Sequence, residues 1–172
     1  MLELLRKRRS IRKYTNNSIE SWKIDVLKEA VLRSPSSKNI QPWEFIFVSD
    51  PDLIEKLADS KTHGSDFLKG AALGIIFVAD PEKSDVWVED CSIASAITHL
   101  TAQSLDLGSC WIQIRNRKRK EPQTAGDYIK QVLGIPEKYM VESIIAVGYP
   151  GEDKKGLSSE KLEWSKIHDD KF

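Results

Sequence analysis

Four short apolar runs, separated by polar and helical segments, set the framework of this chain. The runs cover residues 44–49, 71–79, 110–114 and 141–148. Each has the length of a strand in a globular protein and falls far short of the roughly 20 residues that a helix needs to cross a bilayer. Because the first run shows no alternation with polar residues, we expect its strand to be covered on both faces.

The segments between these runs carry the periodicity and the end signals of helices. The sequence predicts helices at residues 2–9, 19–33, 50–57, 87–105 and 124–133, with a loop at 60–70. The helix at 87–105 is rich in small residues, which allow close approach to another helix, within the subunit or across a dimer. We expect Gly108 to end that helix as a C-terminal stop.

Length and charge bound the class of protein. A chain of 172 residues suits one domain, residues 1–172, and the charged, weakly periodic stretch 150–172 predicts an extended C-terminal arm. The 26 basic and 26 acidic residues cancel, so the overall charge favours neither nucleic acid nor an anionic membrane. The first 20 residues carry too many charges for a signal peptide, and we expect a cytoplasmic protein.

No set of side chains in the sequence forms a recognisable catalytic group. The cysteines, Cys91 and Cys110, lack a Cys-x-x-Cys pattern, and a reducing compartment leaves them as small apolar side chains. The histidines, His63, His99 and His168, show no metal-ligand spacing and are interpreted as packing or surface residues. Glycine-rich dinucleotide and phosphate loops do not occur. An enzyme with this sequence therefore has to take its chemistry from a cofactor.

A polar loop at residues 34–43 runs directly into the first apolar strand. Pro35 and Pro42 restrict its backbone, and its hydroxyl and amide groups can bind a polar ligand or the loop's own backbone. These groups belong to Ser36, Ser37, Asn39 and Gln41. Such clusters mark ordinary turns more often than binding sites, so the loop alone does not identify a function.

A second polar stretch places three guanidinium groups and a hydroxyl close to the N-terminus. These groups belong to Arg8, Arg9, Ser10 and Arg12. Arginine presents a planar fork that matches phosphate oxygens, and a phosphate monoester carries about 1.5 to 2 negative charges at neutral pH. The stretch is therefore suited to a phosphate. The alternative is a basic N-terminus that contacts only solvent.

With both stretches in view, the chain resembles the nitroreductase family of FMN flavoproteins. The resemblance rests on the early Arg-Arg-Ser-x-Arg run, on the Pro-Ser-Ser-x-Asn-x-Gln-Pro-Trp loop, and on the segment 107–115. It implies an α+β fold with a central mixed β-sheet flanked by helices. It also implies a homodimer with FMN bound at the subunit interface.

The resemblance also implies which residues touch the cofactor. Arg8, Ser10 and Arg12 match positions that hold the FMN phosphate, ribityl and ring oxygens, and Arg9 matches a contact position that varies. Contacts to the FMN of the other subunit are implied for Pro35, Ser36, Ser37 and Asn39. Trp111, Ile112 and Gln113 align with the segment beside the isoalloxazine, where a backbone N–H near Gln113 faces N5. Lys154 or Lys155 supplies a late basic contact to the phosphate, although the family often has Arg here within a longer tail.

The activity implied by the resemblance is reduction of nitro compounds, quinones or related small acceptors with NADH or NADPH, in a ping-pong mechanism. Alternatives within the family are dehalogenation and flavin breakdown. A different class of function, a non-enzymatic nucleic-acid-binding or regulatory protein, is suggested by the basic run at 115–120. The sequence does not distinguish NADH from NADPH and does not identify the acceptor. It also does not show which residues of the 60–70 loop touch flavin.

Overall fold

The computed structural model describes residues 1–120 and 122–172. It shows an α+β arrangement with one four-stranded sheet in the order β1-β2-β4-β3. The strands are β1 Trp43–Val48, β2 Leu73–Ala79, β3 Gly108–Gln113 and β4 Met140–Gly148. The helices are α1 Leu2–Lys7, α2 Ser21–Leu32, α3 Pro51–Ala58, α4 Trp87–Ser104 and α5 Ala125–Leu133.

Each neighbouring pair of these strands is antiparallel, so the expectation of a mixed sheet needs correction. The parallel contact that the described residues make is an isolated bridge between Ser10 and Ser109. It joins the chain before α2 to the outer edge of β3. The sheet is therefore extended at that edge by a short piece of N-terminal chain and not by a full parallel strand.

The two central strands form the core, with apolar layers above and below the sheet. Ile76, Ile112 and Ile144 face the layer that contains α3 and α5. Ile75, Phe77 and Ile145 face the layer that contains α2 and α4. Because successive side chains of a strand point to opposite faces, strands buried on both faces read as continuous apolar runs, as β2 and β4 do.

Strand β1 differs from the expectation that both its faces are covered. It lies at the edge of the sheet, and Phe45, Ile46 and Phe47 are half-buried. An edge strand with exposed apolar side chains is a surface at which further chain can add. The continuous apolar run therefore predicted the strand correctly but not its position in the sheet.

Helix ends follow the cap signals of the sequence at α3 and α5. The Asp50 side chain accepts a hydrogen bond from the Leu53 N–H at 3.0 Å, and Thr124 Oγ1 accepts one from the Asp127 N–H at 3.1 Å. Gly134 ends α5 in the left-handed conformation, with φ of 66°. These contacts satisfy backbone groups that a helix end leaves unpaired.

The prediction that Gly108 ends α4 is wrong. The helix ends at Ser104, and Asp106 provides the left-handed turn with φ of 59°. Gly108 instead begins β3, where a Cβ atom would lie 2.8 Å from the Ile11 side chain. Glycine is required at this position because the N-terminal segment packs directly on the strand.

The predicted 60–70 loop contains a 3-10 turn at Asp66–Gly70, and the segment after Pro150 contains two more, at Ser159–Lys161 and Trp164–Lys166. Residues 157–172 are exposed throughout. Their large apolar side chains are therefore unburied in a single subunit: Leu157, Leu162, Trp164, Ile167 and Phe172.

Candidate functional site

Three cationic side chains, Arg8, Arg12 and Lys154, gather at the start of β3, and we name them the cation cluster. Lys154 Nζ donates a hydrogen bond to the Ser10 carbonyl at 2.9 Å. Burial raises the pKa of the Cys110 thiol beneath them, and the charges of the cation cluster oppose that rise. The charges of all three cations thus affect Cys110, although Arg8 and Lys154 are 146 positions apart along the chain.

The N-terminal segment holds this cluster in place by docking on β3. The Ile11 N–H donates to the Ser109 carbonyl at 3.0 Å, and the Tyr14 hydroxyl donates back to the Ile11 carbonyl at 2.6 Å. Tyr14 also forms an isolated bridge with Pro150, so the start of the C-terminal arm is attached to the same segment. Two distant parts of the chain are thereby fixed beside one strand.

One carboxylate lies within the cluster. Glu152 Oε1 accepts hydrogen bonds from the Arg12 N–H at 2.6 Å, the Lys13 N–H at 3.2 Å and Lys154 Nζ at 2.9 Å. Hydrogen bonds from the Arg12 N–H and from Lys154 lower the pKa of Glu152 to about 2, so it is ionised at neutral pH.

The remaining charge of the cluster is uncompensated within the described part of the chain. Three cations face one carboxylate, Glu152, which leaves two positive charges. The Arg12 guanidinium lies 5.7 Å from the Phe67 ring centre, and among the described residues neither it nor Arg8 has an acidic partner. A phosphate monoester, with a charge of about −1.5 to −2, matches this excess.

Arg9 and Lys155 are placed differently from the rest of the predicted phosphate contacts. The Arg9 guanidinium donates to the Lys155 carbonyl, which ties the N-terminus to the C-terminal arm. The Lys155 side chain is exposed. Of the two late lysines, Lys154 is the one whose ammonium lies in the cation cluster.

His99 lies beside the cluster, although no sequence pattern predicts that position. Its Nδ1 is 2.7 Å from Ser109 Oγ. Burial, and secondly the charge of Arg8, lowers the pKa of His99 to about 4, so the imidazole is neutral at pH 7. Like Phe67 and Glu152, it belongs to the site through tertiary contacts alone, and no motif in the sequence signals them.

The outer edge of β3 beyond Ser109 is open. In a strand the N–H and C=O of one residue point the same way and alternate along the chain. Because the Ser109 carbonyl faces the N-terminal segment, Trp111 and Gln113 turn their backbone groups to the same edge, while the Ile114 N–H faces inward and donates to the Glu142 carbonyl at 3.1 Å. The edge therefore offers backbone donors in line with the cation cluster.

The side chains along this edge are fixed by one another. Trp111 Nε1 donates to Gln113 Oε1 at 3.0 Å, and Gln113 Nε2 donates to the Arg115 carbonyl at 3.1 Å. Ile112, between them, is buried in the core and contributes no side-chain contact at the edge. A planar ligand could lie along this edge without rearranging the strand.

The polar loop at residues 34–43 is equally well fixed, but by different means. Ser36 Oγ accepts from the Gln41 N–H at 2.9 Å, and the Ser37 N–H donates to Asp90 Oδ1 at 2.9 Å. Lys38, Asn39 and Gln41 have positive φ angles of 50°, 55° and 51°. Pro35 and Asn39 are exposed, as a ligand contact requires.

The structure does not bring this loop and the cation cluster together in one subunit. The loop precedes β1 and the cluster lies on β3, at opposite edges of a sheet about 14 Å apart at three strand spacings. Along α4, the loop is held by Asp90, whereas Arg8 acts on His99, roughly 13 Å further along the helix. No hydrogen bond or ion pair among residues 1–120 and 122–172 joins them.

The basic run at 115–120 does not form a uniform charged face. The Arg119 guanidinium lies 3.7 Å from the Tyr128 ring centre, and its Nε donates to the Asp59 carbonyl at 2.9 Å. Arg115 lies 5.8 Å from the Trp87 ring centre. Two cations of the basic run, Arg115 and Arg119, therefore make contacts within the subunit, which disfavours the interpretation as a nucleic-acid-binding surface.

Residues 1–120 and 122–172 contain no group of three or more histidine, cysteine, aspartate or glutamate side chains arranged to hold a metal ion. None of the helices formed by these residues has both the length and the apolar character needed to span a membrane.

The chain is similar to known proteins over nearly its whole length. The chain is 33% identical to a putative NADH dehydrogenase/NAD(P)H nitroreductase of Archaeoglobus fulgidus, over 99% of this chain and 98% of that protein. It superposes on the solved structure of an FMN-dependent nitroreductase from Clostridium difficile R20291 with a TM-score of 0.98, 46% identity and complete coverage of both chains. Iodotyrosine deiodinase 1 of Pongo abelii is 24% identical over 88% of this chain and 61% of its own length. Residues 5–64 and 59–149 match the profile of the Nitroreductase family, and the chain belongs to that family.

Proposed function

We propose that this protein is an oxidoreductase that binds FMN and uses NADH or NADPH to reduce nitro compounds, quinones or related small acceptors. The observation that carries the proposal is the cation cluster, which has two uncompensated positive charges at the head of an open strand edge. Family membership and the nitroreductase names of the relatives support the same activity.

The residues present fit FMN. Arg8, Arg12 and Lys154 would hold the phosphate, with Ser10 beside them. The edge at Trp111 and Gln113 would hold the ring, and the outward N–H of Gln113 would donate to it near N5. When bound, FMN accepts hydride and passes the electrons on, while the protein supplies binding and orientation.

In this proposal the protein contributes position and not proton transfer. Hydride transfer requires the donor carbon to be held roughly 3 to 3.5 Å from its acceptor, which is a task of orientation. The neutral His99 imidazole lies beside the phosphate end and is hydrogen-bonded to Ser109. The nicotinamide and the acceptor would use one open face in turn, which gives a ping-pong mechanism.

We further propose a homodimer in which each FMN is shared by two subunits. The separation of the loop from the cation cluster supports this, because the loop of one subunit is free to reach the cluster of another. Helix α4 exposes Ile93, 43% accessible, and the C-terminal arm exposes Trp164, 65% accessible. Such apolar side chains are stabilised when a partner covers them. The cytoplasm, where the two buried thiols stay reduced, is the proposed location.

Absorption spectroscopy tests the proposal directly. The purified protein, or the protein after addition of FMN and removal of the excess, should show the absorption of oxidised flavin, and NADH or NADPH should bleach it. Initial rates at several acceptor concentrations should give parallel double-reciprocal plots. Colourless protein that FMN cannot reconstitute would overturn the proposal, and intersecting plots would overturn the alternating mechanism.

Single substitution of each histidine tests whether a proton-transfer residue exists. Substitution of His63, His99 or His168 should leave the rate of flavin reduction within about tenfold, because loss of a general acid or base costs about 10² to 10⁴. A hundredfold loss in a variant that still holds FMN would identify a catalytic histidine.

Reductive dehalogenation is the second candidate, and the similarity to iodotyrosine deiodinase 1 is the observation that favours it. A halogenated phenol offered in place of a quinone, with the same reductant, distinguishes the two. Release of halide at a rate comparable to quinone reduction would support dehalogenation. The basic run at 115–120 gives the non-enzymatic alternative no comparable support, since Arg115 and Arg119 are engaged within the subunit.

A further inference from the structure

Glu142 occupies an irregular position in β4, directly behind the open edge of β3. In the pairing of β4 with β2, Phe77 pairs with Ser143 and Val78 pairs with Val141, so Glu142 has no partner and forms a β-bulge. Bulges redirect a side chain and are frequent next to active sites. In the sequence, Glu142 lies within the predicted strand 141–148 and no motif distinguishes it.

The carboxyl group of Glu142 is deeply buried and poorly satisfied. The residue is 2% accessible, and its Oε2 has no hydrogen-bond partner among the described residues. No acid–base pair formed by residues 1–120 and 122–172 includes it. Burial of a charged carboxylate with one unpaired oxygen is costly, and such a group lowers the cost by binding a proton.

The groups around this carboxyl come from three elements. On and after β3 lie the Gln113 amide and Arg115, and on β4 lies the Ser143 hydroxyl; burial raises the pKa of Glu142, and these three groups oppose that rise. On α4 lie Cys91 and Asp90. Burial raises the pKa of Cys91 to about 12, and the Glu142 and Asp90 carboxyls contribute to that rise.

The backbone of the bulge holds the same part of β3. The Glu142 carbonyl accepts hydrogen bonds from the Ile114 N–H at 3.1 Å and the Arg115 N–H at 3.0 Å. The carbonyl therefore fixes the end of β3 immediately after Gln113, while the carboxyl lies beside the Gln113 side chain. One residue of β4 thus supports the strand edge from both its main chain and its side chain.

We propose that Glu142 is a positioning residue that fixes the Gln113 end of β3, against which the FMN ring would bind, and that its buried carboxyl does so in the uncharged form. This inference rests on the proposed function. A neutral carboxyl leaves the edge free of negative charge, whereas its ionisation would place a buried anion behind a ring that gains electrons. Ionisation of Glu142 should therefore weaken FMN binding and disfavour FMN reduction.

The test compares the wild type with Glu142→Gln, which resembles the protonated acid but cannot ionise. Glu55→Gln, at an exposed position on α3, is the matched control. FMN dissociation constants and reduction potentials are measured from pH 6 to pH 9. We expect Glu142→Gln to match the wild type within about twofold at pH 6. As the pH rises, the wild type and Glu55→Gln should lose about fivefold or more in affinity, and Glu142→Gln should not.

Urea denaturation of the FMN-free proteins gives an independent readout. A raised carboxyl pKa means that the folded state binds more protons than the unfolded state, so stability falls as the pH rises through the folded-state pKa. Glu142→Gln should remove that part of the fall, and Glu55→Gln should retain it. If Glu142→Gln folds poorly, Glu142→Leu provides the same comparison, since it also lacks the ionising group.

The possible failures are distinguishable. If the wild type does not bind FMN, the proposed function fails, and the FMN-free measurements still decide whether Glu142 holds a proton. If FMN binds and Glu142→Gln follows the wild-type pH dependence of affinity and potential, the inference is overturned. A loss of tenfold or more in FMN affinity for Glu142→Gln at pH 6 would also overturn it, because it would show that the ionised form is needed.

Discussion

The polar loop before β1 and the cation cluster on β3 satisfy their polar groups in different ways. In the loop, Ser36 bonds the loop's own backbone and Ser37 bonds Asp90, so its polar groups are paired within the subunit. In the cluster, Arg8 and Arg12 lack an acidic partner among the described residues, and Glu152 offsets one cation. The cluster therefore keeps positive charge that an anion would balance, whereas the polar groups of the loop are already paired.

The backbone of the two regions differs in the same sense. The loop holds Lys38, Asn39 and Gln41 in the left-handed conformation, which costs an L-residue about 1 to 2 kcal/mol. The cluster is built on an extended segment, with no positive φ from Arg8 to Arg12. The polar loop therefore contains backbone strain, and the cation cluster contains unbalanced positive charge.

The largest effect is expected when a variant of the cation cluster is mixed with a variant of the polar loop, which tests whether the two regions meet across a dimer. An Arg8→Ala/Arg12→Ala subunit and a Ser37→Ala/Asn39→Ala subunit should each form homodimers with strongly weakened FMN binding, by a hundredfold or more for the first. In a statistical mixture about a quarter of all sites should combine an intact cluster with an intact loop and bind as the wild type does. Titration of the mixture with FMN measures this fraction.

The control is the Arg8→Ala/Arg12→Ala variant alone, taken through the same mixing procedure. It should show no high-affinity sites. Absence of high-affinity sites in the two-variant mixture, with heterodimers shown to be present by mass spectrometry, would mean that each FMN is bound within one subunit. The separation of the loop from the cluster would then have another explanation.

Removal of one guanidinium should have the next largest effect. Arg12→Ala should weaken FMN binding by about 1.5 to 3 kcal/mol, the range for a hydrogen bond to a charged group, which is roughly tenfold to 150-fold. Fluorescence titration measures the dissociation constant. Lys13→Ala is the matched control. Lys13 follows Arg12 in the chain, its side chain is exposed, and only its backbone N–H contacts Glu152. Equal affinities for the two variants would remove Arg12 from the phosphate site.

The folding stability of the protein should fall at acidic pH because of His99, which lies beside the cation cluster. The folded state keeps this imidazole neutral with a pKa of about 4, below the ordinary value of 6.5, so the unfolded chain binds more protons between these values. Stability present above pH 6.5 should be lost as the pH falls towards 4, by up to about 3 kcal/mol. His99→Gln should remove that loss in urea denaturation, and the exposed His63→Gln should not.

The smallest effect is expected at the anchor of the loop. Asp90→Asn keeps an oxygen for the Ser37 N–H and an amide for the Ser84 hydroxyl, but loses the charge that strengthens both bonds. Stability should fall by about 1 kcal/mol. Thermal denaturation measures it against Asp85→Asn, an exposed position. A loss as large as that of Asp90→Ala would show that the charge itself holds the loop.

The sequence predicted where the helices and strands lie along the chain better than it predicted which of them pack against one another. Apolar runs and caps placed each strand and helix within a few residues, because these signals are local. The edge position of β1 and the role of Gly108 depend on which segments pack together, and no local pattern encodes that. The error at Gly108 is instructive, since Asp106 supplies the left-handed turn and the glycine is needed for close contact with Ile11.

The candidate site shows the same limit. The family resemblance pointed to Arg8, to Arg12 and to either Lys154 or Lys155, and the structure brings Arg8, Arg12 and Lys154 together. Cationic residues can be noticed in a sequence because their chemistry lies in the residue type. The sequence did not single out Glu152 or His99. An acidic residue in a charged arm and a histidine in a long helix look ordinary until their three-dimensional neighbours are known.

The contact of Lys154 with the Ser10 carbonyl joins positions that are 144 residues apart. On a ribosome, synthesis proceeds from the N-terminus, so Ser10 is made 144 residues before Lys154. The cation cluster cannot form on a nascent chain, whatever its local sequence, until Lys154 has left the exit tunnel. In the proposed function FMN is consequently bound only after Lys154 has been made, and a truncation before residue 154 should lose FMN binding even where the sheet still folds.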